Sequence, residues 1–129
     1  EAIFDDNSVN RLQLNGFAVA ERLELLQDGQ AAVIWLTEED LGRFHARKGD
    51  TEGLVNKALS IAGVKMAAFF REQESLVKIS FRSKGTVFVN EFARDHFGGG
   101  GHKYAAGGMS TEGIENAKDK FKGLVEQYL

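Results

Sequence analysis

Arg82 and His102 are the side chains whose surroundings could do chemistry. The stretch Gly98-Gly99-Gly100-Gly101-His102-Lys103-Tyr104-Ala105-Ala106-Gly107-Gly108 holds six of the chain's 15 glycines. Glycine lacks a Cβ and accepts positive φ. Four in a row let backbone N–H groups converge on one point, and such a nest binds anions. His102 to Ala106 is expected to form a short helix, whose N-terminus would also attract phosphate. His102 adds a hydrogen bond or a positive charge. Upstream, Val77-Lys78-Ile79-Ser80-Phe81-Arg82-Ser83-Lys84 alternates apolar and polar residues. As a strand it turns Lys78, Ser80, Arg82 and Lys84 to one face. A guanidinium grips phosphate through two parallel hydrogen bonds. The chemistry suggested is phosphate binding by Arg82 and by a loop of Gly99, Gly100 and Gly101 that ends in His102. A plain flexible connection is the competing reading of the glycines. The loop lacks both the Gly-Lys-Ser/Thr ending of a P-loop and the G-x-G-x-x-G spacing of a dinucleotide site.

The rest of the chain must position these residues. Ser8 can N-cap a helix that carries Val9 and Leu12 and ends near Gly16, with Phe17 to Arg22 as a further helical turn. Leu23–Leu26 and Ala31–Leu36 read as a hairpin turning at Asp28-Gly29, with Trp35 in the core. Thr37-Glu38-Glu39-Asp40 is a capping-box pattern opening a short helix through Phe44. A charged loop over 45–50 follows. A helix over 51–62 buries Leu54, Val55, Ala58 and Leu59. Strands are expected at about 64–71 and 75–83. A helix over 89–97, capped by Asn90, runs straight into the glycines. Residues 106–110 make a short strand, and Ile114, Ala117, Phe121, Leu124 and Val125 mark a last amphipathic helix. Phe17, Phe69, Phe70 and Phe81 are assigned to the core. The whole predicts an α/β fold, a single layered domain with a mixed sheet of about five strands flanked by helices.

The 129 residues suit one domain with a real core, and 43% hydrophobic with 27% charged residues is a globular balance. There is no cysteine, hence no disulfide or thiolate site, which suits a reducing cytosol. No apolar run approaches the roughly 20 residues of a membrane span, so no membrane partner is expected. The chain opens on Glu1 rather than methionine, and the polar start reads as the end of an interdomain linker. Net charge is −3, but residues 71–103 carry six Lys/Arg against four Asp/Glu. A small basic site on an acidic body suits a compact phosphorylated ligand better than a long duplex.

Three segments carry a family resemblance. They are Ser80-Phe81-Arg82-Ser83-Lys84-Gly85, then Val89-Asn90-Glu91-Phe92-Ala93, then Phe97 through Gly107 with its Gly-Gly-Gly-His and Ala-Ala-Gly elements. Together they resemble the C-terminal DHH-associated domain of DHH-type phosphoesterases, nearest to the nanoRNase/pAp-phosphatase branch, which degrades very short RNAs and the nucleotide pAp. Thr51-Glu52-Gly53-Leu54-Val55, Gly63-Val64 and Phe69-Phe70 resemble the same domain's opening helix and strand. The resemblance implies that residues 1–16 are the end of an interdomain linker, over 1–7, and a helix, and that 17–129 form the DHH-associated substrate-binding domain. It implies substrate contacts from Arg82 and His102, with Ser83, Lys84, Lys103 and the glycines 99–101 beside them. It also implies a two-manganese centre on an N-terminal DHH domain of the same polypeptide, with short RNA or nucleotide as substrate, cytoplasmic location, and room for a homodimer. Asp95-His96 is followed by Phe97 and is not the catalytic motif. No Ser-His-Asp pairing or paired-carboxylate signature stands out, so no catalytic residue and no metal ligand is assigned to this chain. Two other readings remain open. One is the RNA-binding and association module of alanyl-tRNA synthetases, which has a similar glycine run. The other is a dimerisation domain with an idle glycine loop.

Overall fold

The computed structural model describes residues 7–129, so the polar stretch read as a linker lies outside the described residues except for Asn7. Helix α1 (Val9–Glu21) starts at Ser8, whose hydroxyl accepts the Arg11 N–H at 3.0 Å. It does not stop near Gly16. Leu14 and Ala18 are both buried on the sheet, and that shared apolar stripe carries the helix through the glycine as one element. Strands β1 (Leu23–Leu26) and β2 (Ala31–Leu36) form the expected hairpin. Short helices α2 (Glu38–Arg43) and α3 (Leu54–Leu59) then cross over to β3 (Met66–Gln73), which pairs in parallel with β2. Strand β4 (Leu76–Ser83) returns antiparallel to β3. Helix α4 (Asn90–Phe97) leads into β5 (Gly100–Gly101), β6 (Ala105–Ser110) and α5 (Ile114–Leu124), which ends in a 3-10 turn over Val125–Tyr128.

The six strands make one mixed sheet in the order β1-β2-β3-β4-β6-β5. The strand beyond the expected five is β5, two glycines with no side-chain alternation to betray them. Helices α4 and α5 cover one face over Met66, Ala68, Phe70, Ile79 and Phe81. Helices α1 and α3 cover the other over Ala32, Ile34, Ala67 and Phe69. Phe70, Phe81 and Phe69 are therefore core, as the sequence predicts, while Phe17 is half-buried against Phe44. Phe81 is central: its ring lies 5.4 Å from Phe92, 5.3 Å from Phe97 and 6.1 Å from Phe121. Asn90 does not cap α4; Val89 holds the N-cap position and Asn90 is the first helical residue.

The capping box forms as its pattern requires. Thr37 Oγ1 accepts the Asp40 N–H at 3.0 Å, and the Asp40 carboxylate accepts the Thr37 N–H at 3.1 Å. The same carboxylate takes both Nε and Nη2 of Arg22, each at 3.1 Å, which ties the end of α1 to the start of α2. Burial pushes the Asp40 carboxyl pKa up, but the Arg22 hydrogen bond, the Thr37 N–H and the Arg22 charge outweigh it and hold the value below the ordinary 3.8. A depressed folded-state pKa contributes stability that is present above the unfolded value and lost as pH falls through the folded one. Asp40→Asn should therefore destabilise the fold at pH 7 by about 1.5–3 kcal/mol, the usual worth of hydrogen bonds to a charged group. The gap between variant and parent should close in urea melts at pH values below 3.8.

Candidate functional site

The glycine segment is a hairpin, not a nest followed by a helix. Gly98 adopts φ 61° and ends α4, with its N–H and that of Gly99 both donated to the Ala93 carbonyl. Two of the four N–H groups expected to converge on an anion are thereby engaged. Gly100 and Gly101 then pair with Gly107 and Ala106. His102 to Ala105 is the turn between the strands, closed by the His102 N–H to the Ala105 carbonyl at 2.8 Å. A helix over 102–106 is excluded because Ala105 and Ala106 are already paired to β4.

The glycines are where they are because backbone runs against backbone. A Cβ on Gly99 would stand 1.9 Å from the Gly107 carbonyl oxygen, and one on Gly101 2.6 Å from the Ala105 oxygen. On Gly108 it would meet Phe97 Cβ at 2.7 Å and the Phe81 ring at 3.3 Å. Gly100 alone among these faces open space with no demand on φ.

Arg82 sits beside this hairpin. Its Cα partner on β6 is Ala105, the residue that closes the His102 turn. Paired residues share a face, so the sheet presents the rows Ala67-Arg82-Ala105, Phe69-Ser80-Gly107-Gly100 and Arg71-Lys78-Met109. Helix α3 covers only part of this face. A groove of about 660 Å³ remains, lined among others by Arg47, Lys48, Thr51, Arg71, Lys78 and Arg82. Arg82 is half-buried and its Nη1 donates to the Phe81 carbonyl at 2.9 Å. The His102 ring is exposed and makes no hydrogen bond among the described residues.

Three other expected site residues, Ser83, Lys103 and Lys84, are engaged away from Arg82. Ser83 faces the opposite side of β4 and is buried. Its hydroxyl donates to the Lys103 carbonyl at 3.3 Å and its N–H to the Tyr104 carbonyl, so it holds the turn in place. Lys103 extends over the Phe88 ring, 5.3 Å from its centroid, beside α4. Lys84 Nζ reaches the Leu59 carbonyl at 2.9 Å. His96 is structural, hydrogen-bonded to the Tyr128 hydroxyl at 2.8 Å. The sequence reading missed Arg47, Lys48 and Arg71 as groove residues. The first two lie in the charged loop over 45–50, and only the crossover through α3 brings that loop beside β4. Among the described residues no three His, Cys, Asp or Glu side chains could hold one metal ion. No helix among them is long and apolar enough to cross a membrane.

The DHHA1 domain family profile matches residues 28–129. Over 102 residues the chain is 32% identical to the bifunctional oligoribonuclease and PAP phosphatase NrnA of Bacillus subtilis, spanning 79% of this chain and 31% of that protein. Over 99 residues it is 36% identical to the probable bifunctional oligoribonuclease and PAP phosphatase NrnA of Streptococcus mutans, spanning 76% and 31%. The chain thus spans about a third of the length of the curated relatives it matches. An exopolyphosphatase-related protein from Bacteroides fragilis superposes with a TM-score of 0.91 at 38% identity, over 98% of this chain and 37% of that one. The C-Ala domain of Aquifex aeolicus alanyl-tRNA synthetase has a TM-score of 0.55 at 13% identity, over 79% of this chain and 96% of that one; this is a likeness of fold alone.

The close approaches predict unequal tolerance within one glycine run. Gly99→Ala and Gly108→Ala should each cost about 1–3 kcal/mol or more, as overpacking does. Gly100→Ala should leave stability within about 1 kcal/mol of the parent, since strand glycine is itself unfavourable. Thermal melts of the three variants check this, and equal losses at all three would contradict the hairpin.

Proposed function

This chain belongs to the DHHA1 domain family, and on that premise we propose that it is the substrate-binding domain of a manganese-dependent DHH-type phosphoesterase. The substrates we assign are short oligoribonucleotides, pAp or a related dinucleotide; one curated relative is named an oligoribonuclease and PAP phosphatase and the other a probable one. One observation carries the reading: Arg82 is paired with Ala105, which closes the turn bearing His102. Arg82 thus lies on the strand next to the turn that carries His102, and Gly107 and Gly100 pair beside it. Arg82 supplies the planar two-bond grip on a phosphate. His102 supplies a donor from a turn that Ser83 and Val89 fasten from behind through the Lys103 carbonyl. Lys103 stands as a flanking charge.

This chain's own contribution is binding and orientation. The described residues do not fit a metal pair, since they offer no cluster of ligands. Manganese is assigned to an N-terminal DHH domain of the same polypeptide, in the cytoplasm. The likeness to the alanyl-tRNA synthetase domain supports the fold, while the family match and both curated relatives favour the phosphoesterase.

In the full-length protein, His102→Ala removes a hydrogen bond to a charged group, worth about 1.5–3 kcal/mol. Turnover efficiency should fall on the order of 10- to 100-fold, with metal content and melting temperature unchanged. Arg82→Ala should behave alike, Arg82→Lys should recover only part of the loss, and the double variant should lose less than the sum if both residues hold one phosphate. Full activity in His102→Ala would reduce the hairpin to a structural connection, and loss of metal would place His102 in the metal shell. The isolated chain, supplied with manganese, should hydrolyse neither pAp nor a dinucleotide; release of mononucleotide by it would overturn the division of labour.

A further inference from the structure

Arg71 and Lys78 are directly opposed across β3 and β4, on the face that carries Arg82. Like charges directly opposite each other on a sheet are destabilising. Among the described residues neither is in an ion pair; Arg71 has only the amide oxygen of Gln73, at 3.0 Å. Arg47 and Lys48 line the same groove, and Glu52 is the one carboxylate among its lining residues. Five cations therefore face one groove on a chain whose net charge is −3. Such a concentration of uncompensated charge marks a place where a local stability rule is broken for a ligand.

The groove also has a direction. Lys78, Ser80 and Arg82 follow one another on one face of β4, so Lys78 lies about 13 Å along the strand from Arg82 at roughly 3.3 Å per residue. That distance exceeds what the two charges need to clamp one phosphate between them. We propose that Arg71 and Lys78, with Arg47 and Lys48 across the groove, form a distal phosphate subsite. It holds the backbone of an oligoribonucleotide beyond the nucleotide seated at Arg82. The inference rests on the proposed function and deepens it, by giving the same site a means of favouring a chain of several phosphates over a mononucleotide. A charged groove of this kind tracks the phosphate backbone of a single strand without reading its bases.

The test uses the full-length protein carrying Arg71→Gln and Lys78→Gln together, with Arg82→Ala as companion. The values of kcat/KM for a pentaribonucleotide and for pAp are compared. Their ratio should fall about tenfold in the double variant, roughly the loss of one charge-assisted contact. With metal withheld, the plot of log Kd against log salt for the pentaribonucleotide should flatten by about 1.4, for two cations at roughly 0.7 each on a single strand. The double variant should melt no lower than the parent, since the opposed charges are gone. A substrate ratio within about twofold of the parent overturns the subsite. Equal losses on both substrates overturn it too, and assign the cations to docking of another segment of the protein. Arg82→Ala separates the two levels. If it impairs both substrates while the double variant leaves the ratio alone, the distal subsite falls and the proposed function stands. If Arg82→Ala is fully active, the proposed function falls first.

Discussion

Backbone lies on backbone where β5, β6 and the end of α4 meet, and no side chain fits between them. The gaps at Gly99, Gly101 and Gly108 are all shorter than a carbon contact allows. This constraint fixes more than a loop. Gly108 lets β6 press against Phe97, so α4 is held at the sheet, and Gly101 lets the hairpin close so tightly that only His102 to Tyr104 project from its tip. Because β6 is seated this way, its register with β4 is fixed, and Ala105 rather than a neighbour stands opposite Arg82. A one-residue slip would turn every β6 side chain to the other face. Gly107 would then leave the groove side and Ala106 would enter it.

The two faces of the sheet are treated differently, and the groove follows from that. On one face, Phe70, Phe81, Phe92 and Phe121 interlock through edge-to-face contacts, such as Phe70 to Phe121 at 5.9 Å and 76°, and fill the space under α4 and α5. On the other, α3 is six residues long and reaches β2 and β3 more fully than β4. A longer helix there would bury Lys78 and Arg82 at a large desolvation cost. The alternation of β4, apolar toward α4 and α5 and polar or cationic toward the groove, matches one fully covered face and one partly covered one.

Much of this was legible in the residues, for reasons that also explain the failures. The hairpin at Asp28-Gly29, the Thr37 capping box and the alternation of 76–83 are local patterns whose geometry is set by near neighbours. Phe81 was legible as core because its parity on the strand is fixed once Arg82 faces out. The glycine run was placed correctly as a special feature but given the wrong shape. Glycine carries no periodicity, and its reason for being there, contact with residues such as Gly107 and Ala105, lies beyond the run itself. The end of α1 was misjudged for a related reason: Gly16 lowers helix propensity, and burial of Leu14 and Ala18 overrides it. Ser83 and Lys103 looked like neighbours of Arg82 and His102 in sequence. Strand parity sends the first to the opposite face, and the second extends over Phe88 beside α4. Arg47 and Lys48 could not have been assigned, since a crossover brings them to β4.

The materials of the groove also say what it can discriminate. Beside the cations its lining holds Thr51, Asn56, Gln73 and Ser80, while Ala105, Gly107 and Gly100 continue the same sheet face beyond Arg82 and Ser80. Five of its lining side chains are guanidinium or ammonium groups, whose partners are anionic oxygens whatever the base. On the proposed function, these cations read the number and spacing of phosphates. Outside residues 71–103 the chain carries ten Lys/Arg against fifteen Asp/Glu, a net negative balance that disfavours a long polyanion there.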